Sequence, residues 1–336
     1  MRMIQVGVGA WGASWSKVIQ ESPDWELAAL VDLDEDARSR VGIVTPLAKE
    51  HQYGSLAEAA ANTPADAVLV VVPPAHHAAV TLEGLRQGLH CLVEKPLAAS
   101  VNEARDVVQR AAEAGRTLMA SQNFRFGGAY RTVQRLVREG AVGRIEAVYV
   151  DFQSAPGSGT FRLEMEEPLI VDMAIHHLDQ LRGLLPGKAV EVRTHSFNPS
   201  WSPFNGNMCT TIGLTWEDGA VITYTGNWAA RGPYTAWDGH WHLQGEQGAI
   251  MWRGHHVEIV PPGLPPSGWR RRLGLGRQRM PQVALALTNR AGVLAEFAAA
   301  IREGREPETS GRDNLATLEL VYAAVEAARS GQTVRL

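Results

Sequence analysis

Residues 1–12 read MRMIQVGVGAWG, and the fold turns on the six from Gly7 to Gly12. A short apolar run stops at three glycines spaced G-x-G-x-x-G, and a helix-forming stretch follows from about Ser14. A strand that passes straight into a helix needs this spacing. Gly7 permits the tight turn, Gly9 lets main chain approach a ligand, and Gly12 lets the helix pack close to the sheet. Ala10 and Trp11 fill the two positions between Gly9 and Gly12. The helix start offers unpaired N–H groups and the positive end of its dipole, a cradle for a pyrophosphate. The next apolar run, WELAALVD, ends at Asp32, where a carboxylate meets the ribose hydroxyls of a bound adenosine. Its charge would repel a 2′-phosphate, so the expected cofactor is NAD rather than NADP. Asp34 is the better N-cap for the helix that follows.

Outward from this loop, short runs without polar alternation, DAVLVVV, HCLVEKP and TLMASQN, alternate with helical stretches over 77–87 and 101–114. Such strands are buried on both faces. The pattern predicts a doubly wound parallel sheet, a dinucleotide-binding Rossmann domain over residues 1–121. Beyond it the period changes. A helix over 129–139 precedes IEAVYVDFQ, TTIGLTWEDGAVITYTGNWA and HWHLQGEQGAIMWR, which alternate polar and apolar residues around turn pairs such as Asp218-Gly219. Residues 122–336 are expected to form an α+β domain with a large, mostly antiparallel, open-faced sheet, serving substrate binding and oligomerisation. The segment from Pro261 to Met280, arginine-rich from 264, reads as a surface loop, and helices close the chain at 289–303 and 313–329.

The totals narrow the classes. The chain has 336 residues, 45% hydrophobic and 20% charged, which is globular and long enough for two domains. A net charge of −4 gives no footprint for nucleic acid. Two cysteines, Cys91 and Cys209, form neither a zinc motif nor a disulfide framework. With no signal sequence and no long apolar span, the expectation is a cytoplasmic protein away from membranes.

HCLVEKPLAAS, residues 90–100, ends a greasy strand in Glu94, Lys95 and Pro96. In a doubly wound sheet ligands bind beyond the carboxyl ends of the strands. Those charges, with Pro73 and Pro74 after the preceding strand, therefore border the cofactor crevice. Further on, VDMAIHHLDQLRGLL has the period of an amphipathic helix, so Asp172 and His176, four apart, share a face. An N-cap aspartate followed by a structural histidine fits the same residues.

These segments together, GVGAWG, VVPPAHHAAVTLEGLRQGLHCLVEKPLA, SQNFRF, GAVGRIEAV, VDMAIHHLD and PETSGRDNLATLEL, resemble the glucose-fructose oxidoreductase / inositol dehydrogenase / rhizopine catabolism (Gfo/Idh/MocA) family. The resemblance covers essentially the whole chain. It implies Lys95 as the catalytic lysine, Glu94 and Pro96 shaping its loop, Asp172 and His176 as the second catalytic element, and His77 at the border of the nicotinamide pocket. The chain departs from many relatives in having EEPLIVDMAIHH where they carry a glycine-rich approach to the aspartate, which bears on the shape of the substrate pocket.

Asn123 and Arg125 suit sugar hydroxyls or the nicotinamide carboxamide, and Arg125 equally suits a bridge between domains. Trp228, Arg231, Tyr234 and Trp237 could wall a substrate pocket, since apolar sugar faces stack on indoles. His240 and His242 point to one face of a strand but lack a visible third ligand, so no metal is assigned. The expectation is an NAD-dependent oxidoreductase acting on a CH–OH group of a sugar, sugar derivative or cyclitol, and assembling as a dimer or tetramer. A non-catalytic NAD-binding sensor on the same fold is the alternative.

Overall fold

The computed structural model describes residues 1–45, 47–155, 161–262 and 276–336. Its first unit comprises Met1–Phe126 and Ala286–Leu318, and its second Gly127–Leu285 and Glu319–Leu336. The boundary expected at 121/122 therefore lies a few residues later, and the expectation of two continuous domains is corrected by the return of 286–318 to the first.

In chain order the first unit has β1 (Arg2–Val6), α1 (Ala10–Gln20), β2 (Glu26–Val31), α2 (Glu35–Val44), β3 (Gln52–Tyr53), α3 (Leu56–Asn62), β4 (Ala67–Val70), α4 (His77–Arg86), β5 (His90–Glu94), α5 (Val101–Glu113) and β6 (Leu118–Ser121). The strands run β3-β2-β1-β4-β5-β6, every pairing parallel. The order reverses between β1 and its neighbour β4, so the crevice opens beside the glycine loop. Caps set the helix starts: Asp34 accepts from the amides of Asp36 and Ala37, Ser55 from Glu58 and Ser100 from Glu103.

The second unit opens with α6 (Gly128–Arg138) and β7 (Ile145–Gln153), then a π-helical turn (Leu169–Ala174) that leads into α7 (Ile175–Leu184). It continues with β8 (Ala189–Phe197), β9 (Cys209–Trp216), β10 (Val221–Asn227), β11 (His240–Gly245), β12 (Gly248–Arg253), β13 (His256–Val260) and β14 (Gln278–Met280). The nine-stranded sheet runs β14-β13-β12-β11-β7-β10-β9-β8-β15, with β15 at Val334–Arg335. It is antiparallel except where β10 pairs parallel with β7. Val148, Val150, Phe152, Ile222, Tyr224, Trp241 and Trp252 form the buried face. On the other face Tyr149, Phe197 and Val221 are exposed.

The chain then supplies α8 (Asn289–Glu303) to the first unit, and α9 (Gly311–Ser330) begins there and ends in the second. Helix α8 joins the first core because its apolar side has a partner there. Phe297 stacks on Trp25 at 5.4 Å between ring centres, and the Trp25 indole N–H donates to Leu294 O at 2.9 Å. Of the expected loop from Pro261 to Met280, residues 263–275 lie outside the described residues, and its last three form edge strand β14. Among the described residues no helix is long and apolar enough to cross a membrane.

Candidate active site

At the end of β1 the glycines behave as their spacing requires. Gly7 has φ +95° and lies so close to β4 that a Cβ would fall 2.4 Å from Val71 O, and one on Gly12 would fall 2.2 Å from Gly7 O. An added Cβ on Gly9 would meet nothing within 4 Å. That open approach to main chain, at a helix start with no acidic residue in its first turn, fits the pyrophosphate of a dinucleotide. Ala10 and Trp11 form the first turn of α1.

Beneath the loop, Gln5 supplies a contact that the sequence reading misses. Its fully buried amide donates to Gly7 O (2.9 Å) and Gly12 O (2.8 Å), and its oxygen accepts from Ser16 Oγ (2.8 Å). A polar residue inside the apolar run MIQV was the available signal. Asp32 braces the loop from the other side, accepting from the amides of Val8 (2.8 Å) and Asp34 (3.0 Å).

Glu94 is buried at the end of β5. One of its oxygens accepts from the indoles of Trp11 (3.1 Å) and Trp15 (2.7 Å), and the other from the Lys95 amide (3.1 Å). Arg290 of α8 lies over both indoles, 4.6 Å from the Trp11 ring centre and 5.2 Å from that of Trp15. Helix α1, the lysine loop and α8 are thus joined around one carboxylate. Glu94 serves here as a brace rather than as an open ligand for cofactor. Pro73 and Pro74 open the turn into α4.

His77, expected at the border of the nicotinamide pocket, sits at the start of α4. It is 1% exposed, with Nδ1 2.6 Å from Pro96 O and Nε2 2.8 Å from Val72 O, so both ring nitrogens face main chain. Arg125 is buried, and its guanidinium pairs with Asp313 of α9 at 3.1 Å within the first unit. Asn123, half-buried, starts a 3₁₀ turn, Asn123–Phe126, just after β6.

In the second unit, Asp172 and His176 are both buried, but on a segment that differs from the expected α-helix. Asp172 lies in the π turn, where the Ile175 amide reaches back five residues to Ile170 O, and His176 is the second residue of α7. Such π turns recur at functional sites, because the extra residue redirects side chains within an otherwise regular helix. Asp172 forms an ion pair with Arg162, whose guanidinium lies 5.1 Å from the ring centre of Trp228. No pattern in FRLEME marks Arg162. Trp228 is buried beneath that guanidinium, which corrects its reading as a sugar-stacking wall. Arg231 is exposed and lies over Trp201, and Tyr234 and Trp237 are exposed.

His177 is spent on structure. Fully enclosed, with Nδ1 3.2 Å from the Tyr224 hydroxyl and Nε2 2.9 Å from Trp237 O, its imidazole is pushed by burial down to about 4 and is neutral at ordinary pH. His240 and His242 line a cavity of about 300 Å³ on the outer face of the sheet, with Asp151 directly across from His240. Arg253 Nη2 sits 3.2 Å from His242 Nε2. Among the described residues no three His, Cys, Asp or Glu side chains are arranged to hold a metal ion.

Two family models account for most of the chain: "Oxidoreductase family, NAD-binding Rossmann fold" matches residues 1–122, and "GFO/IDH/MocA C-terminal domain" matches residues 130–251. A D-apiose dehydrogenase of Paraburkholderia graminis is 29% identical over 98% of this chain and 88% of its own. An inositol 2-dehydrogenase of Rhizobium meliloti is 24% identical over 95% and 94%. An Agrobacterium radiobacter oxidoreductase, solved in complex with NAD+, L-tartaric acid and magnesium, matches with a TM-score of 0.87 at 24% identity, over 100% of this chain and 98% of its own; that likeness speaks for the fold. With the glycine cradle, Asp32 and the nine-stranded sheet in place, the chain belongs to the Gfo/Idh/MocA family of oxidoreductases and carries that family's NAD-binding Rossmann domain.

Proposed function

We propose that the protein is an NAD-dependent dehydrogenase or reductase acting on a secondary alcohol, or the corresponding ketone, of a sugar, sugar derivative or cyclitol. The observation that carries this reading is the retention of a lysine directly after the β5 carboxylate together with a buried Asp172–His176 pair. A protein that merely senses NAD has no use for either. The relatives named D-apiose dehydrogenase and inositol 2-dehydrogenase support the substrate class.

Gly7, Gly9 and the start of α1 hold the pyrophosphate in this reading, and Asp32 holds the adenosine ribose. Hydride acceptance from the reacting carbon is the chemistry that bound NAD supplies. His176 takes the hydroxyl proton in the oxidative direction and returns it in the reductive one. Lys95 donates to the reacting oxygen and steadies its developing negative charge. Asp172, ion-paired with Arg162, orients the imidazole in this reading. The joint action of Lys95 and the Asp172–His176 pair on one substrate is part of the proposal.

The experiment is a panel of aldoses, sugar acids, polyols and inositols with NAD, followed by NADH absorbance. Turnover on at least one polyhydroxy compound is the expected result. Tight NAD binding with no turnover on any of them in either direction would return the chain to the sensor alternative.

Cofactor choice gives a second check. Asp32→Ala removes both the partner of the ribose and the acceptor of the Val8 amide, so NAD should bind roughly 10-fold or more weakly and the preference over NADP should narrow. An unmodified protein that already prefers NADP would overturn this account of Asp32.

A further inference from the structure

We propose that His77 is a positioning residue that sets the direction of Lys95, an inference that rests on Lys95 being catalytic. The lysine is bracketed in the main chain. On its amino side, its own amide donates to Glu94 Oε2, and the other oxygen of that carboxylate is fixed by two indoles. On its carboxyl side, the next carbonyl, Pro96 O, lies 2.6 Å from His77 Nδ1. The second ring nitrogen reaches Val72 O at 2.8 Å, just beyond β4. The ring therefore ties the loop after β5 to the loop after β4, from the first residue of α4.

Two properties make this ring more than filler. Its own position is fixed: His77 begins a helix packed on β4 and β5, its carbonyl accepts from Thr81 Oγ1 at 2.7 Å, and the side chain is buried. Both carbonyls it faces can only accept. A neutral imidazole has one N–H to give, so it bonds one carbonyl and presents a lone pair to the other, whereas an imidazolium bonds both. Burial pushes the ring toward the neutral form, while nearby Glu94 favours the charged form and Lys95 opposes it. In either form at least one carbonyl is held through nitrogen. Among common side chains without a formal charge, only imidazole offers two nitrogens at opposite edges of a flat ring to span such a gap. A residue needed just to fill the space would carry no such pair of contacts.

The test is a double-mutant cycle on the full chain. His77→Phe keeps the ring volume and removes both nitrogens, and His77→Asn keeps one donor. Each is made alone and with Lys95→Ala. Melting temperature, NAD affinity by fluorescence titration, kcat and KM are measured, together with the imidazole nitrogen shifts of the unmodified protein. Alone, His77→Phe should lower kcat by about 10-fold or more and His77→Asn by less, with NAD affinity and melting temperature nearly unchanged. In the Lys95→Ala background neither should lower the residual rate further, because the group being aimed is gone. The nitrogen shifts should show a hydrogen-bonded N–H at Nδ1, at Nε2 or at both; a ring whose N–H is not hydrogen-bonded would overturn the proposal.

Losses that add to those of Lys95→Ala would overturn the proposal, as would an equal fall in NAD affinity. Failure of both variants to fold would make His77 a residue of the fold and overturn it too. If Lys95→Ala alone leaves turnover intact, the parent reading of Lys95 fails, and that result is visible before His77 is changed.

Discussion

Lys95→Ala should lower kcat by a factor on the order of 100 or more, which corresponds to about 2.7 kcal/mol of transition-state stabilisation. NAD affinity should change far less, because the groups that form the cofactor cradle do not depend on this side chain. The Gly7 turn is held by Gln5 and Asp32, and Glu94 is held by the Trp11 and Trp15 indoles. Steady-state kinetics with an active substrate, paired with a direct NAD titration, separates the two quantities. Equal losses in both would mean that Lys95 builds the cofactor site instead of acting on the substrate oxygen.

The second large effect belongs to the π turn and α7. His176→Asn retains hydrogen-bonding capacity in similar space but cannot exchange a proton near neutral pH, so turnover should fall about 100-fold or more and the pH–rate profile should lose its limb near neutrality. Asp172→Asn should also impair turnover, since it removes the carboxylate and leaves Arg162 beside a neutral amide. If the pair works as one unit, the double variant should be scarcely worse than the poorer single one. Full activity in His176→Asn would sink the acid/base assignment. So would a collapse of the melting temperature without a specific kinetic defect. His177 provides an internal contrast: enclosed among Phe152, Tyr224 and Trp241 and neutral at ordinary pH, it has no proton to exchange where the enzyme works.

Much of this arrangement is legible in the chain because it is local. Three glycines at fixed spacing, an aspartate at the next strand end, apolar runs without alternation and then runs with it each report the environment of their own neighbours. They give the parallel sheet, the antiparallel sheet and the Asp218-Gly219 turn between β9 and β10, where Gly219 takes φ +90°. What escapes is what distance along the chain conceals. Trp25 meets Leu294 across 269 positions, while Arg162 meets Asp172 only 10 positions on but across a change of secondary structure. The π turn escapes for another reason: its hydrophobic period is so near that of an α-helix that LIVDMA reads as either. Strand β8 goes unread although Pro186-Gly187, with Gly187 at φ +81°, lies just before it. His77 and Arg125 show a further limit, since sequence suggests which side chains can bind a ligand but not which are already occupied by the protein itself.

The return of residues 286–318 has a consequence for how the molecule comes into being. Synthesis proceeds from the amino terminus, and domains generally fold as they emerge. Here the first domain cannot be finished when its six strands have been made, because the helix that covers Trp25 and stacks Arg290 on Trp11 and Trp15 is encoded after all but the last strand of the second sheet. The nascent nucleotide-binding half must wait, with part of its apolar surface uncovered, for nearly the whole message to be read. Its completion is thereby tied to the synthesis of the other half: a chain interrupted in the middle leaves Trp11, Trp15 and Trp25 without the contacts that α8 supplies.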